Sequence, residues 1–419
     1  MSSPASITDP LRLGVIGLGR AFTVMLPTFL RDPRVRLVAA TDPVRAACDR
    51  FAADFGGPVH PDAASLCTDD SVEIVYVASP HEFHAEHVIA AARNRKHCLV
   101  EKPMALTLEE CHRMVDAARD GGVHLLVGHS HSYDAPVLEA LRLIESGEWG
   151  AVRMIHAFNY TDYLYRARRP EELDTARGGG VVHGQGAHQI DVVRLLGGGM
   201  VDTVYARLGR WDPARPTEGA YSAILGFRTG AHATLTYSGY GHFDSDEWHG
   251  GIGELGLEKT GLEKTGLEKT GREKAAADYG AARRRLRAAS DPDAERSLKA
   301  ARNYGAQEYQ PPGARTLEPA HHQHFGHFLV CCDGADLRVT PDGVRVYADD
   351  RIDNRRLPAP PWPRKEVIDE LWSVVREGRS PLHGGAWGLA TTEVTLAMLA
   401  SGRSRAVERT QHQVPTARG

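Results

Sequence analysis

The octapeptide His97-Cys98-Leu99-Val100-Glu101-Lys102-Pro103-Met104 places a glutamate and a lysine at the end of a short apolar run that a proline stops. Proline has no N–H to give a sheet ladder and biases the residue before it away from helix, so Lys102 falls where a strand ends. In an open parallel sheet, ligands bind in the crevice outside the carboxyl ends of the strands. A lysine there, beside a carboxylate, is a candidate for proton chemistry; a solvated Glu–Lys pair in an exposed loop is the alternative. A second group lies near the start of the chain. Gly17-Leu18-Gly19-Arg20-Ala21 follows the apolar run 11–17, and residues 35–42 form another such run that ends in Asp42. Strand, glycine turn, helix, strand and acid is the order of a dinucleotide-binding unit. The glycines let the backbone approach a pyrophosphate, which then sits on the helix amino terminus. Asp42 would accept hydrogen bonds from the adenosine ribose and repel a 2′-phosphate, which favours NAD over NADP. Phe22 stands where a third glycine often does, and a tight structural turn is the alternative reading of the two glycines.

These groups need a scaffold that brings strand ends to one crevice. Residues 74–79 (IVYVAS) read as a strand ending in Ser79-Pro80-His81, with 83–93 as its helix. The strand that ends at Lys102 is followed by a helix over 107–119, with Thr107 as N-cap and Glu110 three residues on. Residues 124–128 (HLLVG) close the series. Repeated βα alternation implies an α/β fold with a parallel, doubly wound sheet and right-handed crossovers, so residues 1–130 read as a Rossmann domain.

Beyond it the pattern changes. A helix at 137–146 leads to strands at 152–160, 202–209, 221–227 and 231–238, joined without helices except one at 186–196. This predicts an α+β partner domain over 131–419 with a mainly antiparallel sheet. The fold resumes at His324 with strands over 325–331 and 337–347, where Pro341-Asp342-Gly343 marks a hairpin turn; helices at 365–376 and 387–399 finish it. In between, GLEKT repeats from Gly256 with a period that fits neither helix nor strand. Residues 246–320 therefore read as a low-complexity surface insertion, with a charged helix over 283–298 behind the repeat.

The totals exclude several function classes. A chain of 419 residues, 42% hydrophobic and 25% charged, is expected to hold two domains. A formal net charge of -4 offers no basic excess for nucleic acid. No apolar run is long enough to span a membrane, and residues 1–10 lack the pattern of a signal peptide. The six cysteines show no CxxC spacing and read as reduced core thiols. The expectation is a cytoplasmic protein whose partner is a small molecule. Two histidine groups could suggest metal: His81, His84 and His87 at helical spacing, and His321, His322, His324 and His327 near Cys331 and Cys332. The first has no cysteine or carboxylate partner beyond Glu82 and Glu86. The second is the better candidate, but a nicotinamide supplies hydride chemistry without a metal, so both read as core or loop histidines with no metal.

Gly17-x-Gly19, the strand end at Asp42, Pro80-x-x-x-His84, Glu101-Lys102-Pro103, and Gly178-Gly179-Gly180 followed by Gly186-x-His188 resemble the glucose–fructose oxidoreductase/inositol dehydrogenase (Gfo/Idh/MocA) family. The resemblance covers nearly the whole chain outside 246–320. It implies an N-terminal Rossmann domain, a C-terminal large open sheet, and homodimers or homotetramers joined through that sheet. It also implies a bound nicotinamide dinucleotide contacted by Gly17, Gly19, Arg20, Ala21, Asp42, Ser79, Pro80, His81, His84, Glu101 and Lys102. Lys102 and His188 match the family's acid/base positions. Two positions depart: Gly184 stands where the family carries an aspartate, for which Asp191 or His183 could substitute, and His81 where it carries an asparagine. Tyr163-Leu-Tyr165-Arg166-Ala-Arg168-Arg169 and the Gln185-to-Asp191 stretch are similar to the bacterial phthalate cis-4,5-dihydrodiol dehydrogenases. That subgroup would oxidise an aromatic-acid cis-dihydrodiol to the catechol with NAD as acceptor.

Oxidising a secondary alcohol sends hydride to nicotinamide while a base takes the hydroxyl proton. Histidine titrates near neutral pH, whereas lysine must be lowered by burial or a nearby cation. The expected assignment has His188 taking the proton and Lys102 holding the oxygen; the reverse assignment stays open. Arg166, Arg168 and Arg169 with Tyr163 and Tyr165 form a basic, aromatic cluster suited to a carboxylated substrate, with a solvated basic loop as its alternative. A sugar, inositol or nucleotide-sugar dehydrogenase, and a non-catalytic NAD-binding sensor or scaffold, are the competing functions.

Overall fold

Short, almost uninterrupted apolar runs build the first sheet of the computed structural model, which describes residues 9–259, 279–288, 292–309 and 319–416. Strands β1 (Leu11–Ile16), β2 (Val35–Thr41), β3 (Ile74–Val77), β4 (His97–Val100) and β5 (Leu125–Val127) lie in the order β2-β1-β3-β4-β5. Every pair is parallel. Crossover helices cover both faces of such a sheet, so its strands lose polar alternation; all four residues of β3 are buried. The crossovers are α1 (Arg20–Arg31), α2 (Arg45–Phe55), α3 (Ala63–Cys67), α4 (His84–Arg93) and α5 (Leu108–Gly121). The expected capping box opens α5: Thr107 Oγ1 accepts the Glu110 N–H at 3.1 Å and the Glu110 carboxylate accepts the Thr107 N–H at 3.1 Å. Such a cap contributes about 1 kcal/mol. Helix α2 was not expected, because it buries only Ala47, Cys48 and Phe51, too thin a stripe to show as a period.

The second sheet alternates instead. Helix α6 (Ala135–Glu145) leads to β6 (Val152–Tyr160), α7 (Ala187–Leu196), β7 (Val201–Gly209), β8 (Ala220–Phe227) and β9 (His232–Ser238). Helices α8 (Tyr279–Ala288) and α9 (Pro292–Ala300) precede β10 (His327–Cys332), β11 (Ala335–Thr340), β12 (Gly343–Ala348) and β13 (Ile352–Arg356). Helices α10 (Lys365–Glu377) and α11 (Gly385–Ser404) and the short β14 (Glu408–Arg409) complete the chain. The nine strands run β13-β12-β11-β10-β6-β9-β8-β7-β14, with β6 and β9 the parallel pair in an otherwise antiparallel sheet. Burial alternates along β6 and β9, as in a sheet with one packed face and one open face. Helix α7 packs on the covered face against β6 and β9, and all ten of its residues are buried.

The described residues of 1–129, 300–316 and 364–389 form one compact unit, and those of 130–299, 317–363 and 390–419 form a second. The division is less sequential than the expected split at 130. Tyr304 explains part of this: its ring meets Phe22 edge-on at 5.1 Å, its N–H reaches Thr23 Oγ1 at 2.9 Å and its hydroxyl reaches Asp54 at 2.8 Å. Arg34 bridges Asp32 and Asp369, and Arg376 grips Glu73, which tie α10 to the first unit. The expected insertion from 246 is also narrower. Asp246 and His249 are buried, and Lys259 pairs with Asp244 and with Asp246. The charged helix expected over 283–298 is two helices, α8 and α9, while residues 260–278 of the GLEKT repeat lie outside the described residues.

Candidate active site

The glycine turn is built as a cradle. Gly17 has φ +97°, and a Cβ there would lie 2.7 Å from the Ala78 carbonyl oxygen, so both conformation and space demand glycine. Gly19 is the N-cap of α1, and a Cβ on it would meet nothing within 4 Å. The first turn, beginning with Arg20 and Ala21, carries no acidic residue and no side-chain cap. An open glycine face on an uncapped helix start suits a pyrophosphate. Asp42 follows β2; its Oδ2 accepts the Leu18 N–H at 2.6 Å and its Oδ1 the Val44 N–H at 2.7 Å. The carboxylate thus fixes the glycine turn, and each oxygen keeps a lone pair for a ribose hydroxyl. These residues fit a dinucleotide.

The turn after β4 is held from beneath. Glu101 is buried and its Oε1 accepts the Tyr76 hydroxyl at 2.7 Å. Burial raises the Glu101 pKa, against the pull of Tyr76, Lys102, Arg364 and the His129 N–H. A carboxylate anchored in this way sets the start of the Lys102 turn. His84, on α4, is fully buried between the Pro103 carbonyl at 3.0 Å and the Ser79 carbonyl at 2.9 Å. Burial outweighs both carbonyls and lowers its pKa to about 4. The neutral ring donates to one of these two carbonyls and packs against the other, between the end of the β3 loop and the Lys102-Pro103 turn. Ser79 Oγ pairs with His87 at 2.9 Å, and Pro80 caps a short turn over His81–Phe83 whose His81 ring lies 5.5 Å from that of His84.

In the second unit, His188 lies on the first turn of α7, directly after a π-helical turn over Val182–Gly186 that sequence periodicity did not reveal. Such turns concentrate at functional sites. The buried His188 ring meets His131 at 4.8 Å and Phe325 at 4.8 Å. His131 Nδ1 pairs with Asp134 at 2.7 Å and its Nε2 faces Glu254 at 3.5 Å. Burial works against the charge on His131, but Asp134 and Glu254 overcome it and raise its pKa. Glu254, despite burial, is lowered to about 2 by His131 and Arg166. Sequence reasoning missed Glu254 because it sits just before the repeat, inside the stretch read as surface.

The other expected residues divide. Gly184 has no room for a side chain: a Cβ there would overlap the Tyr163 hydroxyl oxygen and lie 3.0 Å from Tyr163 Cζ. The Arg168 guanidinium stacks 3.6 Å from the Tyr163 ring centroid, and Arg166 pairs with Asp162 at 2.9 Å. The rest of the basic cluster serves the fold. Arg168 and Arg169 face Glu172, the Arg168 N–H donates to Glu295 at 2.7 Å, and the Tyr165 hydroxyl donates to Asp212 at 3.0 Å. Neither proposed stand-in for an acid at 184 is poised for that role. His183 is buried and lowered by that burial to about 4, and Asp191 accepts the hydroxyls of Ser132 and of Thr391, the latter at 2.7 Å.

The second histidine group is a backbone clip. His322, His324 and His327 bond through Nε2 to the carbonyls of Pro358, Ile252 and Ser245, and His249 stacks on His327 at 3.8 Å. Burial lowers His249 to about 2 and His327 to about 4. With His84 and His183, four histidines are held neutral. Below pH 6.5 the unfolded chain takes up protons that the folded one refuses, so stability present above 6.5 is lost as pH falls towards 4. Each histidine costs about 1.4 kcal/mol for the first full unit below 6.5. Urea unfolding at pH 7 and pH 5.5 is expected to show a loss of several kcal/mol; an unchanged midpoint would refute the neutral clip.

Comparison with known proteins agrees with this geometry. Residues 11–129 match the family model described as the oxidoreductase family, NAD-binding Rossmann fold, and residues 137–251 match the GFO/IDH/MocA C-terminal domain. The chain is 45% identical over 397 residues, 94% of its length and 95% of the relative's, to the 1-carboxy-3-chloro-3,4-dihydroxycyclohexa-1,5-diene dehydrogenase of Comamonas testosteroni. It is 32% identical to inositol 2-dehydrogenase 2 of Saccharopolyspora erythraea over 59% of its length and 73% of that protein's. Among solved structures, a proposed dehydrogenase from Bordetella bronchiseptica RB50 superposes with a TM-score of 0.83 at 38% identity, covering 96% of this chain and all 100% of that one. The WlbA dehydrogenase of Bordetella pertussis, in complex with NADH and UDP-GlcNAcA, has the same fold and superposes with a TM-score of 0.64 at 19% identity over 96% of this chain and 99% of that one. With both halves matched and a glycine cradle fitted to the dinucleotide, the chain belongs to the Gfo/Idh/MocA family of NAD-binding oxidoreductases.

Proposed function

We propose that this dehydrogenase oxidises a secondary alcohol of a carboxylated cyclic cis-diol, an aromatic-acid cis-dihydrodiol of the phthalate type, to the catechol. The near end-to-end similarity to a dehydrogenase of a carboxylated dihydroxycyclohexadiene carries this reading. When bound, NAD supplies the hydride acceptor. His188 takes the hydroxyl proton, and the Lys102 ammonium holds the oxygen and steadies the developing alkoxide. Hydride loss from a dihydrodiol gives a ketone that enolises to an aromatic ring, which draws the oxidation forward. Arg166 supports a carboxylate substrate: its side chain is 44% exposed, and its neighbours include Glu254 and Tyr237. Asp42 supports NAD over NADP through repulsion of a 2′-phosphate.

The test follows NADH or NADPH absorbance with the purified protein, either cofactor, and the cis-4,5-dihydrodiol of phthalate beside inositol and glucose. Turnover of the dihydrodiol with NAD is the expected result. Turnover of the polyols alone would replace it with the inositol-type reading that the Saccharopolyspora relative supports.

We also infer that copies of the chain pair through the open face of the nine-stranded sheet. Ile224, Thr234, His156, Leu329 and Arg338 stand opposite one another across five strands of that face. Ile224 is 52% exposed, and a hollow of about 470 Å³ is lined by His156, Phe158, Trp248 and Leu329. A row that carries Ile224 and Leu329 among polar side chains, with Trp248 57% exposed beside the hollow, offers apolar area for association. Light scattering is expected to give a dimer or tetramer mass, and Ile224→Glu to lower it; a monomeric wild type would refute the inference. That the six cysteines form no disulfide supports a cytoplasmic setting.

A further inference from the structure

We propose that the Tyr163 hydroxyl contacts the substrate from the place where a side chain at position 184 would stand, and positions the diol for His188. The inference rests on the reading of His188 as the group that works on the substrate hydroxyl.

Gly184 is not among the glycines with positive φ, so its backbone does not require glycine. What it lacks is room: the phenol oxygen occupies the space of its Cβ. Gly184 and Tyr163 therefore form one unit, in which an aromatic side chain from the loop after β6 delivers a polar atom to the turn that leads into α7. Position 184 lies four residues before His188, and on a helix such positions share a face. The hydroxyl is consequently presented on the side of this turn that carries His188.

The phenol is also held in place by the turn it serves. The Tyr163 N–H donates to Thr161 Oγ1 at 3.1 Å, and that oxygen pairs with the Tyr237 hydroxyl at 2.7 Å. Tyr237 in turn reaches Gln185 Oε1 at 3.2 Å, within the π-helical turn itself. The Tyr163 ring meets Tyr237 edge-on at 6.5 Å, and Arg168 covers one ring face at 3.6 Å. Every one of these contacts fixes the backbone or the ring. Among the described residues none hydrogen-bonds the Tyr163 hydroxyl, which leaves its proton and lone pairs for a ligand. A hydroxyl that both donates and accepts suits a diol, whose two oxygens each do the same.

Tyr163→Phe tests this directly, because it keeps the ring, the cation above it and the packing while removing one oxygen. With the cis-4,5-dihydrodiol of phthalate and NAD, kcat/KM is expected to fall at least tenfold. The NAD dissociation constant should stay within twofold, the urea midpoint should be unchanged, and the pH profile should keep its shape because His188 remains the base. Gly184→Ala, which must push the phenol aside, is expected to lose activity to a similar degree. The double variant should lose little beyond either single change, since both remove one contact. A Tyr163→Phe enzyme within twofold of wild type, or full multiplication of the two losses, overturns the inference. If the wild type turns over the dihydrodiol but His188→Ala does so equally well, the underlying assignment of His188 fails. If only Tyr163→Phe is silent in effect, this inference alone falls.

Discussion

His188→Ala is expected to slow alcohol oxidation by ~10²–10⁴-fold, the usual contribution of a positioned general base, with NAD affinity unchanged. That range corresponds to about 2.7–5.4 kcal/mol of transition-state stabilisation. The variant should fold, because the imidazole packs at 4.8 Å against His131 and Phe325 at one end of a helix whose ten residues are all buried, and the rest of α7 keeps its contacts. Lys102→Met should lose a similar factor for a different reason. Its buried neighbour Glu101 keeps the Tyr76 hydroxyl and the charge of Arg364, so the turn survives while the ammonium that steadies an alkoxide is gone. Stopped-flow measurement of the hydride step separates the two roles: loss of the base should abolish the neutral-pH limb of the profile, whereas loss of the ammonium should lower the plateau. Near-normal turnover in both variants, with NAD still bound, would remove this pair from the chemistry.

Asp191→Ala is expected to destabilise the second unit by ~3–5 kcal/mol, the range for breaking one partner out of a buried charged network. Asp191 lies one turn beyond His188 and invites reading as the missing acid. Its geometry makes it a post instead. One oxygen accepts the Ser132 hydroxyl, the other accepts Thr391 Oγ1 at 2.7 Å, and its charge offsets the fully buried Arg194. Arg194 bonds Thr391 at 2.7 Å and Gln413 at 2.9 Å, and burial lowers its pKa to about 10 even with Asp191 present. Removing the carboxylate leaves Glu393 as the counter-charge of that cation and takes the acceptor from two hydroxyls. Denaturant unfolding measures the loss; Asp191→Asn, which keeps an acceptor, should lose less. A stable Asp191→Ala enzyme with no turnover would instead make Asp191 catalytic.

Local chemistry makes much of the first unit legible in the sequence. A glycine turn after an apolar run, an acid at the next strand end, a capping box at Thr107 and a proline after Lys102 each act through neighbours in sequence, and each stands where the sequence places it. The β6 strand and the hairpin at Pro341-Asp342-Gly343 were legible for the same reason. Helix α2 hid behind a thin apolar stripe, and the π-helical turn over Val182–Gly186 has no period that a sequence can show.

By itself the sequence determined the fold class, the glycine turn with its strand-end acid and the place of Lys102 before a proline, because backbone conformation and hydrophobic period are short-range properties. His188 was legible only through the family resemblance. Only the tertiary structure decided which charges are free to act. Arg168, Arg169 and Asp191 looked available as residue types, yet their partners Glu172, Glu295, Ser132 and Thr391 arrive from loops and helices that sequence distance cannot match to them. Glu254 looked like surface until His131 and Arg166 were found beside it. Gly184 looked like a lost acid until the Tyr163 hydroxyl was found in its place. A side chain's chemistry depends on which groups it meets through space, and burial decides how strongly they act on it.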